Sequence, residues 1–432
     1  METFALIVSI AMLIVLLAAG VHIAVSLALA GIVGLTFIVG LRAAMEMLAL
    51  SAFREVGSWM YTVIPLFIFM GEIVHYGGVT EDIYRSAHKW LARLPGGLAI
   101  ATIAGCAGFA MACGSSLATA ATFAPIAIPE MLRYKYNRKL ALGTVAAGGT
   151  LGVMIPPSIG LVIYGMLTNT SIGKLLIAGF IPGFILAFLY MLLIFVRAIK
   201  TPELAPKGPR FDLKDRLVSL RGIWSILVLA ILVLGGIYIG IATPTEAAAV
   251  GGLTSFLIVL VSGRLSSGNF WAALTSTAQT SAMIFVIFFA AMLFSMTITM
   301  AQAPQKIIEI ITLWQVPSAV VLIMIYGLFI LLGMFVDPTS MVLITVPVCF
   351  PIVCSMGYDP IWFGVISVVM VEIAVLTPPI GLNVFAIKSV YPDTTIEEIF
   401  SSIWPFFGMQ LVALALFTFF PEIVMWAPRT ME

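Results

Sequence analysis

Residues 148–158 read GGTLGVMIPPS, and residues 376–383 read LTPPIGLN. Each stretch lies inside an apolar run long enough to span a bilayer, 138 to 168 and 361 to 387, and each carries a double proline, Pro156-Pro157 and Pro378-Pro379. A proline has no amide hydrogen and frees a carbonyl upstream, so both runs read as broken helices. Irregular backbone at membrane depth is tolerated only where protein or a water-filled cavity surrounds it. The double prolines are 222 positions apart, and the same offset places Pro95 on Pro317, Pro125 on Pro347, Pro129 on Pro351, Arg42 on Arg264, Gly105 on Gly327 and Tyr136 on Tyr358. Five of the six prolines between Arg42 and Gly165 recur in this register, so the chain reads as a two-fold internal repeat.

The composition agrees with a membrane setting. Of 432 residues, 62% are apolar and 9% charged, against roughly 45–50% and roughly 25% in soluble domains. A net charge of +1 leaves no basic face for nucleic acid. Twelve apolar runs follow one another, at 4–20, 21–41, 59–75, 96–131, 138–168, 173–196, 222–240, 243–263, 277–301, 318–356, 361–387 and 404–424. The first has no basic flank or cleavage signal and reads as a retained span. Residues 197–221, with three prolines and seven basic residues, read as a cytoplasmic linker between a first repeat, 1–196, and a second, 222–432. The four cysteines lie in apolar runs without metal spacing and read as small buried residues.

The runs 96–131 and 318–356 exceed one span, and each is interrupted, by CGSS at 113–116 and DPTS at 337–340. Both read as re-entrant hairpins. With the N-terminus outside, this threading puts 16 of the 21 Lys+Arg on the cytoplasmic side and leaves Arg42, Arg54, Lys174, Lys306 and Arg429 outside, as the positive-inside rule requires. An odd number of crossings then separates Arg42 from Arg264, so the repeats are inverted and the hairpin tips meet near the midplane. The fold class is an all-α polytopic inverted-repeat membrane protein, with scaffold helices in 4–75 and 222–301 and a terminal helix at 404–424.

Freed carbonyls and Ser/Thr hydroxyls are hard ligands suited to an alkali cation, and half-helix N-termini suit a carboxylate. Two tips and two breaks therefore supply the parts of an ion-coupled anion site. A single break reads first as a packing kink; four paired ones point to function. Among acidic residues inside spans, Asp337 at a tip is the best cation candidate, Glu72 and Glu372 read equally as functional or as helix-to-helix hydrogen bonders, and Glu246 reads as a helix-start residue. His22, His75 and His88 read as structural. Segments 42–58 and 268–276, of mixed polarity, read as interfacial helices. No GxxxxGK[ST] loop is present, so ATP is not hydrolysed by that mechanism. A channel would reuse the same breaks; scarce His and the lack of a nucleophile–base motif argue against an enzyme.

The stretches PLFIFMGEIV (65–74), GSSLATAATFAPIAIPEM (114–131), AAGGTLGVMIPPSIGLVIYG (146–165), IATPTEAAAVG (241–251) and LTPPIGLNVF (376–385) resemble the large membrane subunit of the tripartite ATP-independent periplasmic (TRAP) transporters. Lys135 departs from that pattern, which has glycine before Tyr136. The resemblance implies a sodium-coupled, elevator-type importer of organic acids, such as C4-dicarboxylates, sialic acid or other sugar acids, in the bacterial inner membrane. It implies two partners, a periplasmic substrate-binding protein and a separate small four-helix membrane subunit, and no cofactor other than sodium as coupling ion. Carried over, one sodium site joins Ser115 and Ser116 with Gly148, Gly149, Gly152 and Pro156, and a second joins Asp337, Pro338 and Thr339 with Thr377, Pro378 and Gly381. Ser158 and Asn383 are the expected substrate contacts. An autonomous ion or divalent-anion symporter of the same fold is the alternative.

Overall fold

The computed structural model describes residues 1–431, and the side chains of all but 51–56 among them. The side chain of Arg54, one of the expected external charges, thus lies outside the described residues. Every regular element described is helical: α1 (Glu2–Ala18), α2 (Ile23–Val39), α3 (Leu41–Val56), α4 (Val63–Tyr76), α5 (Val79–Leu91), α6 (Gly97–Cys113), α7 (Ser116–Arg133), α8 (Arg138–Met154), α9 (Ile159–Thr168), α10 (Ile172–Lys200), α11 (Leu213–Ser219), α12 (Trp224–Ala230), α13 (Gly236–Tyr238), α14 (Pro244–Val261), α15 (Ser267–Met300), α16 (Ala303–Leu313), α17 (Ser318–Gly333), α18 (Pro338–Ser355), α19 (Pro360–Leu376), α20 (Leu382–Val390), α21 (Ile396–Phe419) and α22 (Glu422–Arg429). Seven helical segments among the described residues are long and apolar enough to cross a membrane, eight if the bent pair Leu213–Gly222 and Trp224–Tyr238 is one span.

Burial places the middle of the molecule. Helix α8 from Leu140 to Met154 and helix α19 from Trp362 to Leu376 are buried on every side. Both start at a side-chain cap: Asn137 accepts from the Leu140 amide and Asp359 from the Ile361 amide, which satisfies amides the helix leaves free. The pair α6–α7 packs on α8 and the pair α17–α18 on α19. The outer helices instead expose Phe188, Leu253, Val286 and Leu411, faces that lipid covers at no cost.

Lipid tails are as apolar as leucine, so close contact and hydrogen bonds must hold such helices together. At the α2–α15 crossing a Cβ on Gly31 would lie 2.7 Å from the Phe294 nitrogen. Thr297 Oγ1 donates to the Gly31 carbonyl at 2.8 Å, and Ser9 Oγ on α1 donates to Ala30 O at 2.9 Å. Three helices are thereby joined at one level. At the α8–α21 crossing a Cβ on Gly143 would meet Ser402 O at 2.4 Å.

Several expectations change. The segment 268–276 is no separate interfacial helix but the start of α15, which runs unbroken for 34 residues. No proline interrupts it, and part of its polar face turns inward: Thr277 and Ser281 are buried and Ser276 and Thr280 line a cavity, while Thr275 and Gln279 are exposed. Segment 42–58 does form a helix of its own, α3. The second tip is Met334–Asp337, so Pro338, Thr339 and Ser340 already belong to the first turn of α18. Residues 197–221 are hydrogen-bonded to the bundle. The Asn137 amide donates to Leu204 O, the Gly208 amide to Ala92 O and Trp90 Nε1 to Arg216 O. Cys106, Cys113 and Cys349 are buried as free thiols, whereas Cys354 is half-buried. Lys135, the departure noted above, holds φ +61° just past α7, the left-handed position that a helix end usually gives to glycine.

Candidate functional site

The first break is the link Ile155–Ser158 between α8 and α9, and the second is Thr377–Gly381 between α19 and α20. Both double prolines contain a cis bond, Pro156-Pro157 and Pro378-Pro379. At the first tip, Gly114 turns the chain with φ +65° and Ser115 starts α7, its Oγ accepting from the Ala118 amide at 3.3 Å. This tip presses on the first break, for a Cβ on Gly114 would lie 2.8 Å from Pro157 O and one on Gly152 would lie 2.3 Å from Ser115 O. A Cβ on Gly149 would lie 3.2 Å from Ser116 O and 2.8 Å from Asn383 Nδ2. Ser115, Ser116, Gly149 and Gly152 are thus brought together. Gly148 instead faces Cys106 on α6, and the Pro156 ring faces Gly179 on α10.

At the second tip, Asp337 caps α18, its Oδ2 accepting from the Ser340 amide at 3.1 Å. Helix α17 ends against α19, where a Cβ on Gly333 would collide with Ala374. Thr377 donates its hydroxyl to Ile373 O at 2.8 Å, and Gly381 sits against Phe400.

Both tips open on one cavity of about 1100 Å³. Its wall includes Ser115 and Ser116 from the first tip, Asp337, Pro338 and Thr339 from the second, Asn383 from α20, and Glu72 and His75 from α4. Thr377, Pro378 and Gly381 lie outside that wall. So does Ser158: it is fully buried and spends its Oγ accepting from the Leu161 amide at 3.2 Å, capping α9. Asn383 is fully buried, donates from Nδ2 to Ala146 O at 3.1 Å, and keeps Oδ1 without a partner. His75 stands at the cavity edge, its Nδ1 3.1 Å from Thr122 Oγ1 on α7. Glu246 forms a capping box with Thr243, which bears out its reading as a helix-start residue.

Two further residues join the site. Ser116 Oγ donates to Glu372 Oε1 at 2.6 Å, and Gln410 Nε2 on α21 donates to the Glu372 carbonyl at 3.2 Å. Glu372 and Gln410 are both fully buried. Gln410 carries a signal the sequence reading passed over, a lone amide in the apolar stretch 407–417.

A helical bundle with two tips and two broken helices around one cavity is a transporter's architecture, and comparison with known proteins agrees. The family described as the tripartite ATP-independent periplasmic transporter, DctM component, matches residues 10–423. The chain belongs to that family. The C4-dicarboxylate TRAP transporter large permease protein DctM of Pseudomonas aeruginosa is 35% identical over 88% of this chain and 89% of its own length. The isethionate TRAP transporter permease protein DctMQ of Oleidesulfovibrio alaskensis is 33% identical over 95% of this chain, which spans 64% of that longer protein. In fold, the chain resembles the Alcanivorax borkumensis YdaH transporter, with a TM-score of 0.61 at 18% identity over 89% of this chain and 90% of that one. As a DctM component the chain is a multi-pass membrane subunit of a tripartite transport system, and its relatives are named as permeases, which move a solute rather than transform it.

Proposed function

We propose that this DctM component imports an organic acid across the bacterial inner membrane, driven by sodium, with its N-terminus in the periplasm. The observation that carries the reading is that both helix-pair tips line one cavity, with the first tip seated against the first break. In this reading α6–α7 and α17–α18 are re-entrant hairpins of two inverted repeats, and together with α8–α9 and α19–α20 they move as an elevator against the remaining helices. One sodium ion sits among Ser115, Ser116, Gly149 and Gly152. A second sits by Asp337, Pro338 and Thr339, with Thr377 as a further ligand. Asn383 contacts the substrate. A periplasmic binding protein delivers the acid, and a small membrane subunit, a separate chain or a fused one, braces the scaffold.

The test is uptake into proteoliposomes of the permease with its small subunit, with and without the binding protein, under sodium or potassium gradients. Accumulation that needs both the sodium gradient and the binding protein is the expected result. Accumulation without the binding protein would favour the autonomous symporter, and sodium dependence unchanged in Asp337→Asn and Ser115→Ala would remove the proposed ion sites.

A further inference from the structure

Helix α5 and the segment Leu213–Gly222, which contains α11, lie side by side. A Cβ on Gly222 would lie 3.0 Å from Asp82 Cβ. Ser86 Oγ donates to Ser219 Oγ at 3.3 Å, and Trp90 Nε1 donates to Arg216 O at 3.1 Å. Positions 82, 86 and 90 thus meet 222, 219 and 216, so the two run antiparallel.

The face of the segment turned away from α5 is bare. Leu213 is 72% exposed, Leu217 60% and Leu220 42%, and their spacing of i, i+4, i+7 puts them on one stripe. The segment meets Trp224–Tyr238 at 45°, and past that bend the exposure continues through Trp224, Leu227 and Ile231. The bent pair is apolar enough to cross a membrane, where acyl chains cover Leu227 and Ile231. The leucine stripe is therefore continuous with the lipid-facing surface, and lipid is the occupant that fits it.

Charge decides which lipid. Residues 197–221 hold seven basic residues against three acidic ones. Arg138, Arg264 and Lys306 pair with Glu398, Asp82 and Glu2, but among the described residues no ion pair engages Lys207, Arg210, Lys214, Arg216 or Arg221. Arg216 Nε is buried without a partner, a donor whose missing acceptor an anion supplies. Lys214 and Arg221, seven positions apart, share a face beside the stripe. A helix with leucines on one face and cations at its border lies in the interface plane, its apolar side among acyl chains and its cations at the phosphates.

We propose that Leu213–Gly222, braced by α5, binds anionic phospholipid, with the leucine stripe among the acyl chains and Lys214, Arg216 and Arg221 on headgroup phosphates. The site is independent of the sodium and substrate readings and needs neither. Helix α5 packs on α6, so the bound lipid holds the foot of the first helix pair at the membrane surface.

The experiment is equilibrium binding of radiolabelled phosphatidylglycerol to the purified permease in neutral detergent, with phosphatidylcholine and inorganic phosphate as competitors. Each basic residue near an anionic surface strengthens binding about fivefold, so Lys214→Gln/Arg221→Gln is expected to bind about twentyfold more weakly. Both side chains are exposed, so this variant is expected to fold. Leu217→Ser leaves the charge untouched and is expected to weaken binding through the stripe. Arg133→Gln/Lys139→Gln removes two cations at another turn and is expected to keep wild-type affinity, and neither competitor is expected to displace the label. Wild-type affinity in Lys214→Gln/Arg221→Gln, an equal loss in both double variants, or displacement by phosphatidylcholine overturns the site. Displacement by inorganic phosphate, or wild-type affinity in Leu217→Ser, shows an anion site without lipid and overturns the proposal. Displacement of the label by added small subunit gives the stripe to that partner and overturns it as well.

Discussion

Gly152 of α8 lies so close to Ser115 that a Cβ there would fall 2.3 Å from the Ser115 carbonyl oxygen. The first tip is therefore seated on α8 backbone to backbone, with no room for a methyl group. Gly152→Ala must push the tip away, and overpacking of this kind costs about 1–3 kcal/mol. Gly408 on α21 meets nothing within 4 Å, so Gly408→Ala is expected to be neutral or to stabilise by about 0.5–1 kcal/mol through helix propensity. Thermal melts of the two variants check the pair, and a Gly152→Ala protein that melts with wild type refutes the seating.

The Thr297 hydroxyl donates to Gly31 O on α2 at 2.8 Å and is fully buried. Thr297→Val keeps the shape and removes the bond. Interhelical bonds in membranes average about 0.6 kcal/mol, so a loss of that order in detergent stability is expected. A loss several times larger would mean that α2 and α15 part.

Lys135 holds φ +61°, a conformation that costs a side-chain-bearing residue about 1–2 kcal/mol. Lys135→Gly removes that cost but makes the unfolded chain more flexible, so a net gain of up to about 1 kcal/mol is expected. Urea or thermal unfolding of the variant measures it, and destabilisation would show that the lysine side chain holds the turn.

His88 on α5 packs among Tyr84, Tyr134 and Phe211, and its Nε2 has no partner. Burial lowers its pKa below the ordinary 6.5, with Glu130 opposing in part. Above pH 6.5 both folded and unfolded imidazoles are neutral, and this group leaves stability unchanged. As pH falls below 6.5 the unfolded chain takes up the proton first, so stability drops until the folded pKa is passed. Melting temperature followed downward from neutral pH should fall through that window, and His88→Phe should flatten that part of the curve.

The breaks and the first tip were legible because prolines and glycines act on their own backbone. GGTLGVMIPPS ends α8 where the prolines stand, and CGSS turns the chain where Gly114 takes a positive φ. Ser158 is a cap for the same local reason: a serine after a break has the freed amide of Leu161 three residues on as its nearest partner, and no spacing rule tells a cap from a ligand. The pairing of Ser116 with Glu372 is set by how α7 crosses α19, and nothing local to either residue encodes it. The polarity of 268–276 was visible, but the segment is the start of a long helix whose Ser276 lines a cavity.

The unbroken course of α15 has a mechanical consequence. At about 1.5 Å per residue, its 34 residues form a rod about 51 Å long. Packed on α2, α4 and α18, such a rod cannot yield at one end alone. A tilt of about ten degrees about its foot carries its head sideways by about 9 Å, so any small displacement near Asn269 reaches the level of Thr297 enlarged, as the long arm of a lever.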